Sequence, residues 1–206
     1  MAVFFSVSMS LDGVIAPHSP DELMGRRWVQ LQSWVFPQRF FREKNLKLGG
    51  GGEEQRDNDI LRETFDRTGA SIMGKRMFDA GAAAWPEEAP FHTPVYVITH
   101  EKRDPWERPG GTVFHFVNDG IEAALEAARA AAEDRDVRIA GGAETIRQYL
   151  NAGLIDEFSI ALSPMMFGDG ARLFDGVDQT RAELEQISAE SPSARATHLR
   201  YAVRRR

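Results

Sequence analysis

The sequence predicts an α/β domain: a mostly parallel mixed sheet, helices packed over it, and an antiparallel hairpin at one edge. Three observations carry this reading. Short apolar runs rich in Val, Ile, Phe and Met alternate with segments of helical periodicity as far as Gly153. Glycine-bearing turns stand where two of those strands meet helices, at Gly74 and at Gly141-Gly142. Beyond Glu157 the helical pattern stops, and Ala182–Ala189 and Ala196–Val203 read as strands. In the last of these, Leu199, Tyr201 and Val203 alternate with polar neighbours, as a half-exposed antiparallel strand should. At 206 residues the chain fits one domain spanning 1–206 better than two.

The elements follow in order. Val3 to Met9 is a buried first strand, broken by the turn residues Asp12-Gly13. Val14-Ile15-Ala16 resumes an extended path as far as Pro17. Residues 21–46 carry Trp28, Leu31, Trp34, Val35, Phe36, Phe40 and Phe41 and read as helical in parts, interrupted at Pro37. Gly49 to Gly52 and the charged residues after it read as a mobile surface loop running to Asp59. An amphipathic helix is expected from Asp59, stopping at Gly69. Ala70–Met73, Pro94–Thr99, Thr112–Val117, Val137–Ala140 and Glu157–Pro164 read as strands. Helices are expected after Gly74, from Ile121 to Glu133 with Asp119 as cap, and from Gly142 towards Asn151.

Composition removes several function classes. There is no cysteine, which excludes disulfides, a thiol nucleophile and the cysteine-ligated zinc deaminase pattern. His18, His92, His100, His115 and His198 show no helical metal-pair spacing, so no metal site is expected. The net charge of -6 argues against nucleic acid as the main partner. No apolar run approaches the ~20 residues that span a bilayer. The apolar N-terminus has no positive charge ahead of it, so it does not read as a signal peptide. A soluble, cytoplasmic protein that meets a small molecule is the expectation.

Two segments share a physical design suited to phosphate. In Met73-Gly74-Lys75-Arg76-Met77, a glycine allows close backbone approach and two cations sit at a helix start, where the free N–H groups already favour anions. Two cations suit the extra phosphate of NADP better than the bare hydroxyl of NAD. In Ala140-Gly141-Gly142-Ala143-Glu144-Thr145, a glycine pair precedes a helix whose first N–H groups could receive a pyrophosphate. Each could equally be a plain structural turn. Together, in an α/β chain, they point to a dinucleotide site beyond the carboxyl ends of the strands.

The ordered motifs resemble the dihydrofolate-reductase-like superfamily, and within it the C-terminal reductase domain of the bacterial riboflavin deaminase–reductase. They are Ser10-Leu11-Asp12-Gly13-Val14-Ile15-Ala16, Met73-Gly74-Lys75-Arg76-Met77-Phe78, Val97-Ile98-Thr99-His100, Ile139-Ala140-Gly141-Gly142-Ala143, Leu154-Ile155-Asp156-Glu157 leading to Pro164, and Phe167-Gly168-Asp169-Gly170-Ala171-Arg172-Leu173-Phe174. The resemblance implies a three-layer α/β/α fold, a homodimer, and NADPH as cofactor. It implies that Gly74, Lys75, Arg76 and Met77 hold the adenosine-side phosphates, that Thr99 and His100 flank the adenine ribose, and that Gly141, Gly142, Ala143, Glu144 and Thr145 receive the pyrophosphate. Asp12 and Gly13 would lie near nicotinamide and substrate, with Leu162, Pro164, Phe167 and Gly168 bordering the pocket.

The resemblance also implies reduction of a pyrimidine or pterin-like substrate, such as 5-amino-6-(5-phosphoribosylamino)uracil. Hydride transfer needs placement, water exclusion and a proton donor. Dihydrofolate reductase itself keeps a carboxylate in its first helical region. Here only Asp21 and Glu22 stand nearby, followed by an aromatic stretch without a carboxylate until Glu43. Asp12 and Asp59 are therefore the candidate catalytic carboxylates, although Asp59 could instead cap its helix. Trp34 and its aromatic neighbours would wall a flat heterocycle or simply fill the core. A substrate phosphate would need a cation, with Arg26, Arg27, Arg39 and Arg172 as options. Dihydrofolate reduction, or binding of a nucleotide or drug without turnover, remain the other readings.

Overall fold

The computed structural model describes residues 1–23 and 25–205. One sheet organises them, in the order β10-β11-β8-β1-β7-β3-β4-β6-β5. The strands are β1 (Val3–Ser10), β3 (Thr68–Gly74), β4 (Pro94–Ile98), β5 (Trp106–Glu107), β6 (Val113–Val117), β7 (Asp136–Gly141), β8 (Glu157–Ser163), β10 (Ala182–Ser193) and β11 (Ala196–Arg205). Neighbours from β8 through β6 pair in parallel. The β10–β11 hairpin joins β8 antiparallel, and β5 joins β6 antiparallel. This is the mostly parallel sheet with a C-terminal hairpin that the sequence predicts. A separate antiparallel pair, β2 (Val14–Ala16) with β9 (Ala171–Arg172), lies outside it.

Five α-helices, α1 (Arg26–Leu31), α2 (Arg56–Asp66), α3 (Lys75–Ala84), α4 (Gly120–Ala131) and α5 (Ala143–Asn151), supply the covering layers among the described residues. Side chains alternate across a strand, so each strand serves both faces. Val3, Phe5, Ile72, Val137, Ile139 and Phe158 build one core with α4 and α5. Phe5 stacks on Phe158 at 4.8 Å between ring centroids. The opposite face carries Met73, Val95, Val97 and Phe114 under Phe78 of α3. Farther along it, Leu61 of α2 packs with Trp34, Val35 and Ala161.

The structure corrects four local expectations. The second helix begins at Arg56, with Gln55 at its N-cap position, so Asp59 lies inside it and pairs with Arg62 at 2.6 Å. The Gly49–Asp59 segment is anchored in its second half: Glu53 receives both terminal nitrogens of Arg195, and its backbone bonds Pro37 and Arg39. Gly69 does not stop the helix but lies within β3, where a Cβ would come within 2.5 Å of the Ala132 carbonyl oxygen. Asp119 holds the N-cap position of α4, yet its side chain makes no capping hydrogen bond. No helix among the described residues is long and apolar enough to cross a membrane.

The face under α4 and α5 should dominate stability. Phe5→Ala, at a fully buried position, is expected to cost about 3–5 kcal/mol, because it removes transfer energy and leaves a cavity. Val29→Ala, on a side chain 42% exposed, should change stability by less than about 0.5 kcal/mol. Urea unfolding of the two variants checks both values.

Candidate active site

Parallel pairing of β3, β4 and β7 brings their carboxyl ends to one edge of the sheet. A cleft of about 1160 Å³ opens there. Its outer part is built from the two turns. Gly74 precedes α3 and Gly142 precedes α5, both with extended backbone and no side-chain cap, so both helices present their first N–H groups. The turns touch: a Cβ on Gly74 would come within 2.5 Å of Thr145 Oγ1. Gly141 has φ near +136°, which favours glycine, and the Gly141-Gly142 peptide is cis. A Cβ built on Gly142 meets nothing within 4 Å.

The cations of α3 are already engaged. Lys75 Nζ lies 2.6 Å from Asp79 and 3.3 Å from Glu101, and the Asp79 hydrogen bond is the main cause of its raised pKa. Arg76 donates to the backbone carbonyls of Pro17 and His18, tying α3 to the chain leaving β2. Glu144 turns along α5 to Arg147 and Gln148. Thr99 is buried at the end of β4, where its hydroxyl accepts from the Glu101 N–H.

The inner part of the cleft is walled by Trp28, Trp34, Phe36, Phe41 and Phe65 and floored by β1 and β7, through Ser6, Ser8, Arg138 and Ala140. The Trp34 indole N–H donates to Ser8 Oγ at 2.8 Å, and the Ser8 hydroxyl donates to Gln32 at 2.7 Å. The β1–β7 ladder pairs only Val3 with Val137 and Phe4 with Arg138. Beyond that row the two strands part, and the cleft reaches the sheet at the opening.

Gly74, Lys75, Arg76, Met77, Thr99, His100, Gly141, Gly142, Ala143, Glu144 and Thr145 all line this one cleft, as do Trp34 and Gly168. Asp12, Gly13, Asp59, Leu162, Pro164 and Phe167 are not among its lining residues. Asp12 accepts the backbone N–H groups of Phe167 at 2.9 Å and Gly168 at 2.7 Å, and the Ser10 hydroxyl. These bonds, the Phe167 N–H first, hold its carboxyl well below the usual carboxylate range. It fastens the turn after β1 to the loop after β8. Asp59 fills its own helix surface. Phe167 is buried with Val14 and Leu31, and Pro164 is exposed.

Two groups escaped the sequence reading. Arg138 is a cation in the middle of a buried strand, and that position was the available signal. The buried His198 and Asp57, 2.7 Å apart, lie on distant segments, and His198 packs edge-on against Trp34 at 4.7 Å. No pattern in sequence joins them. No cluster of metal-ligating side chains occurs among the described residues.

The model of the RibD C-terminal domain matches residues 1–196. The chain belongs to the RibD C-terminal domain family. An uncharacterized Bacillus subtilis (strain 168) protein, YyaP, is 32% identical over 138 residues, covering 63% of this chain and 71% of that protein. Among solved structures, a Shewanella sp. PV-4 protein provisionally assigned to riboflavin biosynthesis superposes with TM-score 0.65 at 22% identity, covering 100% of both chains. A pyrimidine reductase-like protein of Corynebacterium diphtheriae gives TM-score 0.57 at 14% identity over 100% of this chain and 92% of its own. Enterococcus faecalis dihydrofolate reductase, solved with NADP(H) and RAB-propyl, gives TM-score 0.54 at 13% identity over 98% of this chain and 96% of its own. These structures establish the dihydrofolate-reductase-like fold.

The role of Asp12 has a measurable consequence. Asp12→Ala should lower stability by about 1–3 kcal/mol, since it orphans N–H groups that a carboxylate now accepts. A depressed folded-state pKa contributes stability that is full above the unfolded value of about 3.9 and is lost as pH falls through the folded value. The gap between wild type and variant should therefore narrow in acid, which denaturation at pH 7 and pH 3 will check.

Proposed function

We propose that this protein is an NADPH-dependent reductase of a flat pyrimidine or pterin-like substrate, with the aminouracil phosphoribosyl compound of riboflavin biosynthesis as the first candidate. The observation that carries this is convergence: two uncapped helix N-termini, the open Gly142 backbone and the Lys75-Arg76 pair border one cleft with an aromatic inner chamber. That arrangement fits a dinucleotide phosphate chain outside and a flat ring inside. Membership in the RibD C-terminal domain family supports the same reading.

NADPH, when bound, would supply a hydride. The residues of the chain then have separable tasks. The turns at Gly74 and Gly141-Gly142 would receive phosphate through backbone N–H groups. Arg76 and Lys75 would meet the phosphate that distinguishes NADPH from NADH. Trp34, Phe65 and their neighbours would exclude water around the reacting ring. No carboxylate lines the inner chamber among the described residues, so the proton would come from water, directly or relayed through the Ser6 hydroxyl, which is reprotonated by water in the same transfer.

Nucleotide titration by fluorescence tests the reading. Lys75→Ala with Arg76→Ala should weaken NADPH roughly ten- to hundredfold, the worth of a lost charged hydrogen bond, and NADH by less than about threefold. Failure of the folded wild type to bind either nucleotide would end the reductase reading. A homodimer through the open edge of β10, where Leu184 and Ile187 are 52% and 48% exposed, belongs to the same proposal. Light scattering should return twice the chain mass, and Leu184→Asp with Ile187→Asp should return one.

A further inference from the structure

Among the described residues Arg138 is the one cation on the sheet floor of the cleft, and its surroundings lack the usual compensation. Its Nη2 donates to the Ser6 carbonyl at 3.3 Å. Its Nε is sealed from solvent with no hydrogen-bond partner. It forms no ion pair among the described residues, and its guanidinium rests 5.4 Å from the Phe65 ring centroid. The carboxylates that border the cleft, Glu101, Glu144, Asp169 and Asp175, all belong to segments beyond the strand ends. Burial pushes the group down to about 10, so it is still a cation at neutral pH. Arg138 is only partly exposed, and a charge partly withdrawn from water is unfavourable unless a counter-charge repays it.

We propose that Arg138 anchors a planar anionic edge of the substrate, a carboxylate or a deprotonated imide, on the floor of the inner chamber. This rests on the reductase reading of the same cleft and narrows its substrate class. The planar fork of a guanidinium matches two coplanar oxygens or an oxygen beside a ring nitrogen. The sealed Nε leaves the terminal nitrogens for that contact. Trp34, Val35, Leu61 and Phe65 require the rest of the ligand to be flat and apolar. Ser6, Ser8 and Gln32 supply neutral polar groups beside it. Arg138 also stands in the last paired row of β1 and β7, where the strands part. A ligand held there sits at the base of the opening, on the chamber side of the Gly141-Gly142 turn.

A purely structural brace is the rival account, with Arg138 present only to hold the Ser6 carbonyl across the parting strands. The two accounts differ in the sign of a stability change. A retained, unpaired charge makes Arg138→Met neutral or stabilising, whereas loss of a brace lowers Tm.

The test uses the full chain, with and without NADPH, and calorimetric titration of two matched pairs that carry no imide: naphthoate against naphthamide, and benzoate against benzamide. Wild type should prefer each anion by about tenfold, the worth of one charged hydrogen bond. Arg138→Met should abolish that preference, leave NADPH affinity within about twofold, and not lower Tm. Arg138→Lys, which keeps charge but not the fork, should fall between them and covers the case in which the methionine variant does not fold. Equal binding of anion and neutral partner by wild type overturns the proposal. So does an Arg138→Met variant that loses several degrees of Tm and weakens both members of a pair alike. Anion preference without NADPH binding would refute the reductase reading and leave the anchor standing.

Discussion

The adjacency of β3 and β7 is the constraint on which the rest of this molecule depends. They pair in parallel from Thr68 opposite Asp136 to Met73 opposite Gly141. Parallel pairing forces both strands to end at the same edge, and each is followed at once by a helix. Two helix N-termini therefore open side by side, with Gly74 against Thr145. A side chain at position 74 would collide with that threonine, so the small residue sets how closely the two anion-attracting ends approach. A dinucleotide phosphate chain would need both turns at once, and the strand order fixes their separation.

The second organising fact is the inequality of the two sheet faces. The face under α4 and α5 is mostly apolar and closely packed, with Val3, Phe5, Val137 and Ile139 fully buried. The other face alternates them with Ser6, Ser8, Ser71 and Arg138 along the same strands. Period-two alternation makes this division possible within strands that both look buried in sequence. One face holds the fold, and the other can give up packing for polar groups and an open chamber. The expected costs of substitution differ accordingly between the two.

This division explains what was legible in the sequence. Strands and helices with clear periodicity stood out, including the glycine turns, because apolar spacing and backbone requirements are local. The edge hairpin was legible through the alternation of Leu199, Tyr201 and Val203. The pairing of β2 with β9 was not, since strands of three and two residues carry no period. The start of α2 was misplaced because no capping side chain marks it; Gln55 fills the position without a side-chain bond. Gly69 resembled a helix stop but is small for a different reason, the close passage of Ala132. Asp12 looked chemical because a carboxylate beside a glycine suits an active site as readily as a turn. The two N–H groups donated from the loop after β8, which give it its place in the fold, come from a segment distant in sequence. Arg138 required knowing that its face of β7 opens onto a cavity.

The cations at the mouth of the cleft then have unequal prospects. Lys75 already holds two carboxylates, Asp79 and Glu101, themselves 52% and 65% exposed. A phosphate arriving at Lys75 replaces one anion with another, in high dielectric, and the gain is the small difference of two exposed ion pairs. Arg76 presently donates to neutral carbonyls of Pro17 and His18. A phosphate there replaces a neutral acceptor with a charged one, and charged hydrogen bonds are roughly twice as strong. The larger share of any preference for the phosphorylated nucleotide therefore falls on Arg76. The same exchange would break the hydrogen bonds by which α3 holds the chain after β2.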